Sequence, residues 1–213
     1  MTKLLLIRHG QSTANLEGRF VGHTDSPLSD LGRRQAAATA DYIAQTYTAD
    51  AVYASDLSRA FETGKAAANR MGLPIIADPR LREIFAGDWE QMKFDDLSES
   101  GNPDYALWLS DIGHSHCTGG ESVAQLQARI VAALEDLCRS NPDRTLIIGT
   151  HATPVRVFMT HVLGKSLGEM KDVPWVSNAS VTEVDYTDGR FTLVSASHDA
   201  HLGEMRTALP KNV

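Results

Sequence analysis

LLLIRHGQST (4–13) and LIIGTHATPVR (146–156) lie far apart in the chain and share one design. Each is an apolar run that ends in a histidine, His9 or His151, with a helix start close behind. Arg8 precedes the first histidine and Gly10 follows it. Arg59, in YASDLSRAFET, falls in the opening of the helical pattern after another apolar run. Glu83, in LREIFAGDWE, sits beside Ile84 and Phe85 after a further one. Two guanidiniums can grip a phosphate dianion in bidentate fashion. A neutral imidazole whose second nitrogen is hydrogen-bonded can attack phosphorus, and a protonated one can stabilise the charge on the oxygens in flight. A carboxyl in an apolar setting has a raised pKa, so it can give a proton to a departing alkoxide and then act as base on water. Taken singly, each residue has a plainer reading: a solvated or core-satisfied histidine, an exposed helical arginine, an ordinary surface carboxylate. Together they compose phosphoryl-transfer chemistry, provided the fold gathers them.

The elements that must do the gathering are legible. Apolar runs predict strands at 4–7, 50–55, 74–78 and 144–150, continuous enough to be parallel strands covered on both faces. Two more, at 180–186 and 190–197, alternate in polarity and are joined by Thr187-Asp188-Gly189, a hairpin signal. Helical patterns cover 29–48, with Ser29 as cap and Ala36, Ala40, Ile43 and Tyr47 on one face, and 56–71, closed by Gly72 and Pro74. A third covers 122–139, opened by a Ser122/Gln125 capping box, and a fourth begins near Pro154. Strand and helix alternate, then a hairpin closes the sheet. That order predicts a three-layer α/β/α sandwich, a mainly parallel sheet with an antiparallel edge strand. Its parallel strands would present their carboxyl ends, and the helix N-termini beside them, to a ligand. Residues 85–120, with Trp89 and Trp108, break the alternation and read as an excursion over one end of the sheet, within a single domain spanning 1–213.

Composition bounds the partners. The charge of −7, from 20 basic and 27 acidic residues, opposes nonspecific binding to nucleic acid or anionic lipid. A small anion remains compatible, because local cations outweigh a net charge screened beyond about 10 Å. Cys117 and Cys138 form no C-x-x-C arrangement and read as free thiols in a reducing compartment. No apolar run reaches membrane-spanning length and the N-terminus lacks a signal pattern, so a cytoplasmic protein is expected. A homo-oligomer is compatible with the sequence.

The residues resemble the histidine phosphatase superfamily, in its phosphoglycerate mutase-like branch. The motifs that carry the resemblance are LIRHGQSTAN (6–15), GRFVGHTDSPLSDLGRRQA (18–36), YASDLSRAFETG (53–64), LREIFAGDWE (81–90), GGES (119–122) and GTHATPVR (149–156), with NASVTEVDY (178–186) and DAHL (199–202) behind them. The resemblance implies His9 as phospho-acceptor nucleophile and Glu83 as proton donor. It places Arg8, Arg59 and His151 around the phosphate, Gln11 and Asn15 as further contacts, and the loop at Gly22 beside the substrate. It implies no metal and no cofactor. Ala152 and Gln91 stand where the family commonly has glycine.

Three functions compete. A metal-independent, acid-type phosphatase would hydrolyse a small phosphomonoester through a phosphohistidine and release inorganic phosphate. A cofactor-dependent phosphoglycerate mutase would share the first step but needs a second cationic subsite. From Gly87 to Cys117 the only Lys or Arg is Lys93, amid Asp88, Glu90, Asp95, Asp96 and Glu99, which favours the hydrolase. A non-catalytic phosphate-binding scaffold would not need both His9 and Glu83. Metal sites built from His9, His151 and Glu83, from His114, His116 and Cys117, or from His198 and His201 are weaker readings, since Arg8 and Arg59 would repel a cation at the first of them. Phe85, Trp89, Trp108 and the GGES loop are candidate walls for the rest of the substrate, with simple packing as the competing role for the tryptophans.

Overall fold

The computed structural model describes residues 1–208, so the last five residues of the expected 1–213 span lie outside the described part. Strand β1 (Thr2–Arg8) leads through a short helix α1 (Thr13–Leu16) to helix α2 (Asp30–Thr46). There follow β2 (Ala51–Ala54), α3 (Ser58–Met71) and β3 (Ile75–Ala77). Helices α4 (Phe94–Glu99) and α5 (Pro103–Ser110) precede α6 (Val123–Ser140), β4 (Thr145–Thr150), α7 (Ala152–Val162), β5 (Val181–Thr187) and β6 (Arg190–His198). The six strands form one sheet in the order β3-β2-β4-β1-β5-β6. The first four are parallel, and the β5–β6 hairpin adds the antiparallel edge.

Why β1 and β4 are apolar throughout is visible in where alternate residues go. Leu4, Leu6, Leu146 and Ile148 join one core with Ile130, Leu134 and Leu137 of α6 and Val155 and Phe158 of α7. Leu5, Ile7 and Ile147 join the other with Ala40 and Ile43 of α2 and Ala67 and Ala68 of α3. Burial on both faces is what a continuous apolar run records, and it makes the three layers.

The caps fall where residue chemistry puts them. Ser29 accepts from the Gly32 N–H, Ser122 and Gln125 close their box, and Gly72 ends α3 at φ 68°. The hairpin turn has Asp188 and Gly189 at φ 51° and 77°, both positive, as the right-handed twist of the flanking strands demands. Helix α7 starts at Ala152 and carries Pro154 in its first turn, as expected. One expectation shifts. Strand β3 is apolar yet stands at the sheet edge with Ile76 48% exposed, so its hydrophobic run does not record burial on both faces.

The 85–120 segment is more ordered than its composition implied. It holds α4 and α5 and contributes Trp89, Leu97, Tyr105 and Trp108 to the α6–α7 core. Its backbone is stitched to residues 18–20: the Phe20 N–H donates to the Met92 carbonyl, Gln91 N–H to Phe20, and Phe94 N–H to Gly18. Gln91 adopts φ 65° at this seam, whereas Ala152 lies in ordinary helical backbone and is unstrained. A left-handed side-chain-bearing residue costs about 1–2 kcal/mol, partly offset by the unfolded-state entropy that glycine loses. Gln91→Gly is therefore expected to raise stability by roughly 0.5–1 kcal/mol, measured as a higher denaturant midpoint; an unchanged or lower midpoint contradicts the strain assignment.

Candidate active site

The histidines meet because β1 and β4 are parallel and end level. Ile7 pairs with Gly149 and Arg8 with Thr150, and the His9 N–H donates to the Thr150 carbonyl at 2.9 Å. The next side chain on each strand is then an imidazole, and the two rings lie 5.2 Å apart in an edge arrangement. Gly10 is required at this point, because a Cβ there would stand 2.4 Å from the Gly32 carbonyl oxygen of α2. The chain can therefore leave β1 and pass tightly over that helix.

His9 Nδ1 lies 2.7 Å from the Gly10 carbonyl oxygen, which can only accept, so Nδ1 carries the proton and Nε2 keeps its lone pair. His151 Nε2 faces the Ser55 hydroxyl at 2.9 Å, and its Nδ1 has no protein partner among the described residues. Arg8 Nη1 donates to the Val176 carbonyl at 2.6 Å, while its Nε is buried without a partner. Arg59, in the first turn of α3, donates to the carbonyls of Gly22 at 2.8 Å and Thr24 at 3.2 Å. Neither guanidinium has a carboxylate salt-bridge partner among the described residues, so both retain charge for an anion.

Glu83 is buried, 7% exposed. Its Oε1 accepts from the Ile84 N–H at 2.8 Å and its Oε2 from the Thr153 N–H, at the start of α7, at 3.3 Å. Its own carbonyl is held by His23 Nε2 at 3.0 Å and Arg129 Nη2 at 3.1 Å. Glu90 ties the neighbouring loop down, accepting from the N–H groups of Gly22, His23 and Thr24 at 3.1, 2.7 and 3.2 Å. Gly22 lets this happen: a Cβ would meet the Ile84 carbonyl at 2.2 Å. One carboxylate thus fixes the loop whose carbonyls aim Arg59.

Arg8, His9, Asn15, Arg59 and Glu83 line one cavity of about 70 Å³, room for several groups of water size. His151 is fully buried and does not line it; its ring lies against that of His9, which does. Gln11 and Gly22 do not line it. The Gln11 amide oxygen instead accepts from the Ser29 hydroxyl at 2.8 Å, and Gly22 acts through its backbone as above. Of the expected walls, Trp108 lines the cavity, Trp89 is packed in the core, and Phe85 and Gly120 border a separate shallow groove. Sequence reasoning did not single out Glu90, Asn178, Phe94 or Trp175. Asn178 donates to the His9 carbonyl at 3.1 Å and to the Asn15 side-chain oxygen at 3.2 Å. Glu90 and Asn178 sat inside quoted motifs, so the signal was present; Phe94 and Trp175 carry none that separates a wall from a core. Among the described residues, no group of three or more His, Cys, Asp or Glu is placed to hold a metal ion. His198 and His201 instead stack against Tyr42.

Burial, then the Arg59 charge, holds both imidazoles well below the ordinary histidine pKa, with Arg8 adding to the effect on His9. Both are neutral in the free protein. That departs from the expectation of a protonated second histidine, though a dianion beside it would favour the imidazolium. Burial raises the Glu83 carboxyl above the usual range against the pull of its backbone donors and Arg59. Burial also brings Arg8 down to about 10, still charged at neutral pH.

These shifts set a pH dependence. Unfolded, an imidazole titrates near about 6.5, so below that pH the unfolded chain binds more protons than the native one. Stability from His9 and His151 is therefore complete above about 6.5 and falls as pH drops, by at most about 1.4 kcal/mol per unit for each ring. Glu83, with its raised native pKa, has the opposite sign above the carboxylate range and is present in wild type and variant alike. Denaturant unfolding at pH 7 and 5.5 is expected to show a smaller acid loss for His9→Asn than for wild type. Equal losses would mean that His9 protonates freely in the native state.

Residues 4–199 match the Histidine phosphatase superfamily (branch 1). The chain is 29% identical over 204 residues to phosphoserine phosphatase 1 of Hydrogenobacter thermophilus, covering 96% of each. It is 31% identical over 201 residues to glucosyl-3-phosphoglycerate phosphatase of Mycolicibacterium vanbaalenii, covering 89% of each. Among solved structures, Bacillus stearothermophilus YhfR matches with a TM-score of 0.88 at 28% identity, over 95% of this chain and 100% of that one. A family match over nearly the whole chain, on a fold that sets His9 beside His151, makes this protein a member of the histidine phosphatase superfamily, branch 1.

Proposed function

We propose that the protein is a metal-independent, acid-type phosphatase that hydrolyses a small phosphomonoester through a phosphohistidine at His9. The observation that carries the reading is the His9 ring itself: buried, held neutral, its Nδ1 proton committed to the Gly10 carbonyl, beside two arginines without carboxylate partners. Its free Nε2 lone pair is the nucleophile. Arg8 and Arg59 hold the phosphate, with Asn15 at the same end and the unpartnered His151 Nδ1 as a further donor once it takes up a proton. Gln11, tied to Ser29, supports the loop after His9, and the loop at Gly22 aims Arg59.

In the first step the P–O bond to the alcohol breaks as the His9 N–P bond forms, and the Glu83 carboxyl gives its proton to the departing oxygen. In the second, the Glu83 carboxylate takes a proton from water, whose oxygen attacks phosphorus and restores neutral His9. The reaction needs neutral His9 together with protonated Glu83. The lowered pKa of one and the raised pKa of the other widen the pH window in which both forms coexist. No metal or organic cofactor enters these steps. A mutase would need cations for a second phosphate; beyond Arg8 and Arg59 the cavity offers Arg19, already paired with Glu17. Relatives named for phosphoserine and glucosyl-3-phosphoglycerate support a small phosphorylated metabolite as substrate class. We read residues 1–213 as one catalytic domain in which the 85–120 excursion covers the site. Buried free thiols at Cys117 and Cys138 suit the cytoplasm.

His9→Ala is expected to abolish turnover and the base-stable, acid-labile phosphoenzyme that rapid quenching traps in the wild type. Glu83→Gln is expected to slow alkyl phosphates by about 10²-fold or more, while p-nitrophenyl phosphate, whose leaving group needs little protonation, falls far less. Equal loss on both would remove Glu83 from the proton-donor role.

A further inference from the structure

Beyond its phosphate end, the cavity changes character. Phe20, Val21, Phe94, Trp108, Ala152 and Trp175 form the apolar part of the lining, with Ser12, Arg19 and Thr153 the polar side chains beside them. The rings are set in place before any ligand arrives. Phe20 packs edge-on against Phe94 at 5.8 Å and Trp108 at 5.2 Å, and its backbone is stitched to Gln91 and Met92. Trp175 carries the Arg156 guanidinium 4.3 Å from its ring centroid. Arg156 in turn donates to the carbonyls of Val173 at 2.7 Å and Met170 at 3.0 Å, fixing the loop that bears this tryptophan.

Charge is as telling as shape. The carboxylate that lines the cavity is Glu83, the proposed proton donor, so a substrate ammonium would have to sit against the group that must stay protonated. The cation outside the phosphate end is Arg19, whose Nε is engaged by Glu17 at 2.7 Å and whose Nη1 donates to the Gln91 carbonyl at 2.8 Å. A sugar or amino-acid moiety placed along such a wall loses water from several polar groups and finds few partners for them, which weakens binding for each group left unpaired. An aromatic ring placed there gains contact on apolar and aromatic surface and brings no polar group of its own, although the buried Trp108 Nε1–H keeps no partner among the described residues.

Resting on the phosphatase reading, we propose that the preferred substrates are phosphomonoesters of apolar, ring-bearing alcohols, selected by the Phe20–Phe94–Trp108–Trp175 wall. Phosphorylated amino acids and glycerates are the poorer substrates of this chain, although relatives are named for compounds of that kind.

The test compares 2-phenylethyl phosphate with O-phospho-L-serine and 3-phosphoglycerate. All three release an alkyl alcohol, so leaving-group acidity does not decide the ranking. kcat/KM is expected to be about tenfold or more higher for the phenylethyl ester. Phe94, partly buried, can be truncated: Phe94→Ala is expected to lower that value about tenfold, mainly through KM, and to change phosphoserine by less than about threefold. Equal or better turnover of phosphoserine or 3-phosphoglycerate by the wild type overturns the proposal. So does a Phe94→Ala loss equal on all three esters, which marks a structural role only. No turnover of any ester, p-nitrophenyl phosphate included, removes the hydrolase reading and this inference with it; turnover without the apolar preference removes this inference alone.

Discussion

Everything at the site depends on two parallel strands ending at the same level. β1 and β4 are neighbours in register up to Arg8 and Thr150, so the residue after each falls at the same height above the sheet. With histidine in both places, the imidazoles must share one small volume. The burial that this brings removes water from both rings, and with Arg59 close by it keeps them neutral. A neutral, oriented imidazole is a nucleophile; an exposed one would be protonated for part of the time and free to turn. The core strand runs straight into Arg8 and His9 and serves as their rigid mount.

Cations and acid are then positioned by backbone rather than by ion pairing. Arg8 and Arg59 are anchored on carbonyl oxygens, Val176 for one, Gly22 and Thr24 for the other. A carbonyl orients a guanidinium without neutralising it, so the full charge stays available to a phosphate. Carboxylate partners in the same places would stabilise the free protein and weaken the anion site. Glu90 takes up the complementary task one layer out, gathering the N–H groups of the 22–24 loop so that its carbonyls face Arg59. Glu83 has no cationic side-chain hydrogen-bond donor among the described residues, its oxygens meeting the Ile84 N–H and the Thr153 N–H and side chain, and burial wins over their pull and that of Arg59 and raises its pKa.

The excursion links this machinery to selectivity. Its backbone is paired with residues 18–20, which follow closely on the segment that bears His9, and its rings interlock with Phe20. The wall and the phosphate site are thus parts of one packed body, and Gln91 accepts a left-handed backbone at their seam.

By itself the sequence determined the alternation of strands and helices, the caps, the hairpin and the set of reacting groups. These are local signals: period, turn chemistry and residue type speak for a few neighbouring positions. It also marked His9, Arg59, Glu83 and His151 as a set, because each follows an apolar run and strand ends in such sheets converge. What only the tertiary structure decided is contact between residues distant in the chain. That β3 is an exposed edge, that Gln11 turns to Ser29, that Trp108 faces the cavity from the core it shares with Trp89, and that Glu90 holds the 22–24 loop all depend on which segments become neighbours. An apolar or acidic residue has the same local pattern in either setting. Its role is set by the partner that folding brings to it.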